Sequence, residues 1–366
     1  MGFKCGIVGL PNVGKSTLFN ALTESDKAEA ANYPFATIKP NVGRVSVPDN
    51  RLKKLSLISS SKKTIPTYMD FVDIAGLIKG ASKGEGLGNK FLAHIREMDV
   101  IAHVVRCFEN ENITHINSKL NPIKDIETVE TELILSDIDV LENKIINLQK
   151  IAKTGNKEIK SQLNLVNILL EKLSNFQPFN SKDWSVEQLK TIKSYNLIMN
   201  KPILYICNVD EKSVLNGNHF SKLVQKKNKK DNIKSILVSA AIESQISQLK
   251  NKEEKLEFIK ESSLNEPTLN KMINIGYKLL NLITFFTSGP KETRAWTIKK
   301  NTIAQKAAGK IHSDFERGFI KAETITYDDF IQHNGEIGCR TVGKLRQEGR
   351  DYIVQDGDIF NFLFNI

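Results

Sequence analysis

The chain has 366 residues, of which 26% are charged, and its formal net charge is +10 at pH 7. This length exceeds the size at which one hydrophobic core keeps growing, so two or three domains are expected. No apolar stretch approaches the length of a membrane span, and Lys4 and the early glycines break any signal-like run, which predicts a cytoplasmic protein without membrane contact.

The positive charge favours partners with an anionic surface, such as nucleic acid, through counterion release. A lysine-rich proteome would produce the same balance, so charge alone does not identify a partner. The four cysteines form no C-x-x-C pair, and Cys5, Cys107 and Cys207 lie in or beside apolar strand-like runs, which indicates that these three are reduced, buried thiols.

The first predicted element is a buried strand, Phe3 to Val8, which runs into a phosphate-loop pattern. Residues 9–17 fit G-x-x-x-x-G-K-[ST], and residues 17–22 have the apolar spacing of a helix start. This order directs backbone N–H groups and a helix dipole at one point, where phosphate oxygens can bind. We expect Lys15 to contact the β- and γ-phosphates and Ser16 to bind Mg²⁺. The residues predicted to contact the nucleotide here are Asn12, Val13, Gly14, Lys15, Ser16 and Thr17.

A second pattern follows the strand-like run Tyr68 to Asp73. Residues 73–76 read D-x-x-G, which in GTPase-type sheets sets a carboxylate behind Mg²⁺ and a glycine N–H against the γ-phosphate. We therefore assign the first role to Asp73 and the second to Gly76. Between the two motifs, Thr37 lies in a proline-flanked loop and is predicted as a further metal ligand, with a plain surface turn as the alternative.

The residue after D-x-x-G is Leu77, where Ras-type sites carry a water-orienting glutamine. A leucine side chain forms no hydrogen bond, so another group must position the attacking water. His94 and His115 are the candidates, and an ordinary structural histidine is the alternative for each. We include His115 with Lys15 and Gly76 among the predicted catalytic residues.

The glycine-rich run 76–89 is predicted to be a switch that orders around γ-phosphate and Mg²⁺. Residues 80–84 within it match G-x-S-x-G, the nucleophile elbow of serine hydrolases. That elbow requires a strand directly before the serine and a helix directly after it, and neither is predicted here. The match therefore does not favour a serine hydrolase.

Two apolar stripes at alternating spacings of three and four predict an antiparallel helical hairpin. The hairpin is expected within roughly 125–200, with a turn at 154–156, as an arm inserted in the nucleotide domain. Core packing explains the stripes, and the exposed faces could also dock a partner. The stripes are Ile134, Ile138, Leu141, Ile145, Leu148 and Ala152, followed by Ile159, Leu163, Val166, Leu170 and Leu173.

The base is expected to bind where the apolar strand 204–207 runs into N-V-D-E, since a GTPase carries N-K-x-D there. Val209 replaces the lysine that packs along guanine, and the longer Glu211 replaces the aspartate that reads it. Asn208 offers a donor and an acceptor, which suit adenine equally well. ATP is therefore predicted to be accepted, with GTP possible. The S-A-A run that begins at Ser239 resembles the loop that backs the base. The residues predicted to contact the nucleotide here are Asn208, Val209, Glu211 and Ser239.

The tail from about 282 changes character, with alternating strands near 296–298 and 360–364 and a short helix over 304–311. It resembles a TGS domain, a small β-grasp module. Its basic residues could contact phosphates, and a solvated surface is the alternative. They include Lys310, Arg317, Lys321, Arg340, Lys344, Arg346 and Arg350.

These motifs, in this order and with this tail, resemble the YchF family of Obg-like ATPases, over essentially the whole chain. The resemblance implies an α/β P-loop nucleotide-binding domain at 1–281, with the helical arm inserted, and a TGS domain at 282–366. It further implies a monomeric, ribosome-associated, Mg²⁺-dependent ATPase that also binds GTP, with an RNA-proximal partner surface and no DNA partner. The alternatives are a GTP-preferring translation or ribosome-assembly factor and a nucleotide-gated binding module.

Overall fold

The structure is a computed structural model. It describes residues 2–30, 42–74, 87–110, 120–152, 156–177, 179–231, 233–249, 251–262, 264 and 266–365. The strands are β1 (Lys4–Val8), β2 (Val42–Ser46), β3 (Thr64–Ile65), β4 (Tyr68–Asp73), β5 (Val100–Arg106), β6 (Ile203–Asn208), β7 (Lys234–Val238), β8 (Leu282–Ser288), β9 (Thr293–Lys299), β10 (Phe319–Ile325), β11 (Arg346–Glu348) and β12 (Ile359–Phe364).

The helices follow the same chain order. They are α1 (Lys15–Ala30), α2 (Asn50–Ile58), α3 (Leu87–Arg96), α4 (Pro122–Ala152), α5 (Lys157–Ser174), α6 (Val186–Ser194), α7 (His219–Asp231), α8 (Ala240–Gln248), α9 (Lys252–Glu261), α10 (Thr268–Leu279), α11 (Ala304–Ile311), α12 (Ser313–Arg317), α13 (Tyr327–Gln332) and α14 (Glu336–Thr341).

The chain divides into two compact units. We call Lys4–Gly43 with Phe71–Thr268 the P-loop unit, and Met1–Phe3 with Arg44–Asp70 and Leu269–Ile366 the C-terminal unit. The predicted domain bounds at 281 and 282 stay a prediction. Among the described residues, no helix is both long and apolar enough to cross a membrane.

One six-stranded sheet has the order β2-β4-β1-β5-β6-β7. The pairs β1–β5, β5–β6 and β6–β7 are parallel, and the register brings Arg106 opposite Asn208 and Asn208 opposite Val238. Strand β5 is buried at all seven positions, as expected for a central parallel strand covered on both faces. The carboxyl ends of these strands therefore meet at one edge, the usual ligand edge of a doubly wound sheet.

The predicted helical hairpin is confirmed as α4 and α5 of the P-loop unit. All members of the two predicted stripes except Ala152 pack in one apolar cluster, whose buried members include Leu141, Leu148, Val166 and Leu173. The amide of Asn156 caps the start of α5, with Oδ1 2.8 Å from the backbone N of Glu158. The rest of the predicted turn lies outside the described residues.

The second six-stranded sheet has the order β11-β10-β12-β8-β9-β3 and lies in the C-terminal unit. Successive residues of β8 face opposite sides: Phe285 packs with the alanines of α11, and Phe286 packs with Leu52 and Leu55 of α2. The predicted helix over 304–311 is confirmed as α11. A mixed sheet with helices on both faces agrees with the predicted β-grasp class.

Candidate functional site

The phosphate loop occupies the turn between β1 and α1, as the sequence predicts. Gly14 has a φ of +89°, and a Cβ built on it would lie 2.3 Å from Nδ2 of Asn208. Only glycine satisfies both the left-handed torsion and the close approach. Helix α1 begins at Lys15, so the loop ends at a helix N-terminus, where backbone N–H groups remain available for an anion.

Three predicted side chains meet at the carboxyl ends of β1 and β4. The ammonium of Lys15 lies 3.4 Å from Oδ1 of Asp73, and the hydroxyl of Ser16 donates to Oδ2 of Asp73 at 3.3 Å. Lys15 is 8% exposed, whereas Ser16 is exposed. The sequence separates these motifs by more than fifty residues, and the parallel sheet brings them together.

The carboxylate of Asp73 fits a role near a divalent cation. Its Oδ1 atom is buried and forms no hydrogen bond with the described residues, although Lys15 is within ion-pair distance. A buried carboxylate oxygen without a hydrogen bond is costly unless a cation compensates it. Ser16 and Asp73 supply the hydroxyl and carboxylate oxygens that Mg²⁺ prefers.

Asn208 joins the phosphate loop to the start of α8. Its Nδ2 donates to the backbone carbonyl of Val13 at 2.9 Å, and its Oδ1 accepts from the backbone N–H of Ala240 at 3.0 Å. Both bonds are buried, and Asn208 itself is 4% exposed. One amide hydrogen and one lone pair remain for a base, so the predicted base contact stays a prediction.

The three residues after Asn208 differ in burial and in their contacts. Val209 is 2% exposed and packs in an apolar cluster with Tyr205 and Cys207, so its side chain offers almost no surface to a base. This burial disfavours the predicted contact of Val209 with the nucleotide.

Asp210 caps the 3₁₀ turn Glu211–Ser213. Burial raises the pKa of Asp210, but hydrogen bonds from Ser213 and Asn218 outweigh this effect, so the pKa is lowered.

Glu211 is exposed, and its Oε1 accepts from Nε2 of Gln245 on α8 at 3.4 Å. Ser239 is 1% exposed and caps α8, accepting from the backbone N–H of Ile242 at 3.4 Å. A hydroxyl that caps a helix is a structural role, and the predicted nucleotide contact of Ser239 stays a prediction.

The remaining predicted residues divide into two groups. Asn12, with a φ of +62°, and Thr17 are both exposed in the loop and the first turn of α1. His94 is exposed on α3. Outside the described residues lie Thr37, Gly76, Leu77, His115 and the G-x-S-x-G match at 80–84, and each assignment there stays a prediction.

Family models match both halves of the chain. The model described as "50S ribosome-binding GTPase" matches residues 4–144, and the YchF-GTPase C-terminal model, described as "Protein of unknown function (DUF933)", matches residues 282–365. The chain is 54% identical to the ribosome-binding ATPase YchF of Pasteurella multocida, over the full length of both proteins. The chain belongs to the YchF family.

Other YchF proteins extend this similarity. The ribosome-binding ATPase YchF of Bacillus subtilis is 49% identical over the full length of both chains. The solved structure of the Schizosaccharomyces pombe YchF GTPase superposes with a TM-score of 0.88 at 37% identity, covering 99% of this chain and 98% of that one. This YchF chain therefore has the predicted fold class, a P-loop α/β domain with a helical arm and a β-grasp module.

Sequence reasoning missed two parts of this YchF site. The partners of Asn208 are the backbone carbonyl of Val13 and the backbone N–H of Ala240, and backbone atoms leave no residue signature. Gln245 lies on α8 and its side chain donates to Glu211. The only sequence signal for this contact is that Gln245 is a polar residue on the exposed face of the helix that follows S-A-A.

Proposed function

We propose that this protein binds and hydrolyses ATP with Mg²⁺ in association with the ribosome, as a nucleotide-dependent regulator of translation in the cytoplasm. The observation that carries the nucleotide chemistry is the meeting of Lys15, Ser16 and Asp73 beside the phosphate loop. The full-length relatives are named ribosome-binding ATPases, which supports both the ATPase activity and the ribosome as partner.

The roles follow from what each group can donate or accept. Lys15 and the loop N–H groups would hold the β- and γ-phosphates, and Ser16, Thr37 and Asp73 would hold Mg²⁺. Mg²⁺, when bound, would offset the negative charge of the phosphates. Gly76 would donate its N–H to the γ-phosphate and His115 would position the water, so catalysis is positioning and electrostatic stabilisation.

At the base site, Glu211 stands in place of the shorter aspartate of GTPases, and this difference favours ATP. Guanine selectivity needs a carboxylate held at one distance from N1–H and N2–H₂, and Glu211 is one methylene longer and already contacts Gln245. Asn208 is rigidly held by its two buried bonds, so it can present its remaining donor and acceptor to either purine.

The second candidate is a GTP-preferring enzyme with the same site, because the solved relative from Schizosaccharomyces pombe is described as a GTPase. Turnover of ATP and GTP, measured in parallel with and without purified ribosomes, separates the two. We expect slow ATP turnover that rises with ribosomes and is lost in Lys15→Ala, while Lys4→Ala, at an exposed lysine on β1, keeps it. A higher kcat/KM for GTP would favour the second candidate.

The domain plan belongs to the same proposal. Residues 1–281 would form the nucleotide-binding domain, with the arm at about 125–200, and residues 282–366 the TGS domain. The protein would act as a monomer with an RNA-proximal surface on the ribosome. Sedimentation of the purified chain tests the oligomeric state.

A further inference from the structure

A cluster of lysines lies at the β3 edge of the sheet in the C-terminal unit. Lys62 and Lys63 directly precede β3, and Lys291 lies in the turn between β8 and β9. We propose that these three residues, which we call the basic edge, bind the phosphate backbone of ribosomal RNA. This inference rests on the ribosome association proposed above and names the surface that carries it.

Backbone hydrogen bonds hold the two segments together. The N–H of Lys62 donates to the carbonyl of Pro290 at 3.1 Å, and the N–H of Thr293 donates to the carbonyl of Lys63 at 2.9 Å. The parallel register continues this contact, with Thr64 opposite Thr293. The pairing of β3 with β9 therefore places Lys62 and Lys63 at the same sheet edge as Lys291, although the two segments are far apart in sequence.

Hydroxyl groups fix the edge further. Ser61 bonds through Oγ to the carbonyl of Gly289 at 2.7 Å and to the hydroxyl of Thr293 at 2.8 Å. Ser59 and Ser288 join their hydroxyls at 2.8 Å, and Thr293 is fully buried. The backbone under the lysines is thus preorganised, so binding a ligand there needs little ordering beyond the side chains.

The charge of the basic edge is not balanced by carboxylates within the part of the chain that the structure describes. Lys62, Lys63 and Lys291 are exposed, and no carboxylate of a described residue pairs with any of them. The nearest acidic side chain in sequence, Glu292, lies 3.7 Å from the guanidinium of Arg294. Arg294 in turn lies over the ring of Trp296, at 5.0 Å from its centroid.

Many other cations of the same unit are compensated. The salt bridges include Arg340 with Glu336 at 2.9 Å, Lys344 with Asp329 at 3.2 Å and Arg346 with Glu348 at 3.0 Å, and Lys306 with Glu316 and Arg317 with Asp314 are also paired. A cation already paired with a carboxylate gains less from a phosphate. The basic edge is therefore better suited to a polyanion than these paired cations, and the sequence prediction that Arg317, Arg340, Lys344 and Arg346 could contact phosphates stays a prediction.

The chemistry of lysine favours contacts with phosphates over contacts with the edges of bases. Ammonium groups act as point charges without the planar geometry that reads a base pair, so they track a backbone with little sequence preference. RNA exposes a regular array of such phosphates, and each contact releases counterions. Binding through the basic edge should accordingly be strongly salt-dependent and tolerant of RNA sequence.

The test compares the full-length protein with Lys62→Gln/Lys63→Gln/Lys291→Gln. Binding to purified ribosomes and to a short protein-free RNA duplex is measured from about 0.1 M to about 1 M salt. Three lost phosphate contacts should reduce the steepness of log affinity against log salt by about 2 to 3, which is about 100- to 500-fold weaker binding at about 0.1 M and no difference near 1 M.

The matched control is Lys306→Gln/Arg317→Gln/Lys344→Gln, which removes the same charge from cations that are already paired. It should bind both probes almost as the unmodified protein does, and both triple variants should keep basal ATP turnover, because none of these residues lies in the nucleotide site. Equal losses in the two triple variants would overturn the proposal, since net charge alone would then explain binding.

Two further outcomes would overturn it. An unchanged salt slope in the basic-edge variant would show that the lysines do not contact phosphate. Loss of ribosome binding with unchanged binding to the protein-free duplex would assign the surface to a ribosomal protein instead. If the unmodified protein turns over ATP but binds no ribosomes, the ribosomal part of the proposed function fails first, and this surface with it.

Discussion

Replacing Asp137 by asparagine is expected to lower the free energy of unfolding by about 3 kcal/mol. Asp137 lies on α4 and is fully buried. Its carboxylate accepts from Nη1 of Arg96 at 2.7 Å and from the backbone N–H groups of Ile198 and Met199 at 3.0 and 2.9 Å. It therefore ties the helical arm to the end of α3, the helix whose first turn overlaps the predicted glycine-rich switch.

The size of the effect follows from what the substitution leaves behind. Burial raises the pKa of Asp137, although Arg96 and the two backbone amides lower it, so the buried pair is costly to form. Removing one partner is costlier, because the Arg96 guanidinium, 16% exposed, then has no carboxylate partner among the described residues, and an asparagine Nδ2 would face a backbone N–H. Arg96 also bonds both the carbonyl and the hydroxyl of Ser136 at 2.8 Å, which prevents it from swinging out.

Urea unfolding followed by tryptophan fluorescence measures this change. A Trp296→Phe background leaves Trp184, which packs against the arm cluster, as the reporter. Asp139→Asn is the matched control, since Asp139 is exposed on the same helix, and it should change the free energy of unfolding by less than about 0.5 kcal/mol. Arg96→Met should cost a similar amount to Asp137→Asn, and the double variant less than the sum. Equal midpoints for the Asp137 and Asp139 variants would refute the reasoning.

Three further predictions concern the P-loop unit. Burial, with a smaller effect of a nearby lysine charge, lowers the pKa of His103 from 6.5 to about 3, so the unfolded chain binds more protons between these values. Stability should fall by up to about 1.4 kcal/mol per pH unit as the pH drops through this range, and His103→Gln should flatten the slope in acid titrations of stability. Gly14→Ala should weaken ATP binding at least about tenfold, because its Cβ would meet Nδ2 of Asn208 at 2.3 Å. As the control, Gly289→Ala, where a Cβ meets open space, should leave the ATP affinity unchanged in calorimetry. Equal ATP affinities of the Gly14→Ala and Gly289→Ala variants would contradict the expected clash. Glu211→Asp should raise the affinity for GTP relative to that for ATP in competition titrations, because it restores the shorter carboxylate. An unchanged ratio of the two affinities would show that Glu211 does not select the base.

Features encoded within short stretches were predictable from the sequence. The phosphate loop combines a strand, glycines and a helix start within about twenty residues. The arm carries a repeating apolar spacing, and α11 has local helix signals. Each depends on neighbours in sequence, so propensity and periodicity suffice.

Features made by pairing distant segments were not predictable in the same way. Strand β3 has two residues, too few to show periodicity, yet it pairs with β9 in the second sheet. The burial of Val209 depends on residues of β5 and α4, which the local motif does not contain. Asn208 lies beside the phosphate loop, and its bond to the backbone carbonyl of Val13 could not be read from residue types.

The most direct test of the central claim is calorimetric titration of ATP, with Mg²⁺, into the purified protein and into Lys15→Ala. Lys15 faces Asp73 beside the phosphate loop, so its loss should abolish or strongly weaken binding, while Lys4→Ala keeps it. Saturable binding that Lys15→Ala removes is the predicted result. No binding of ATP to the folded protein, or equal affinity in Lys15→Ala, would contradict the account.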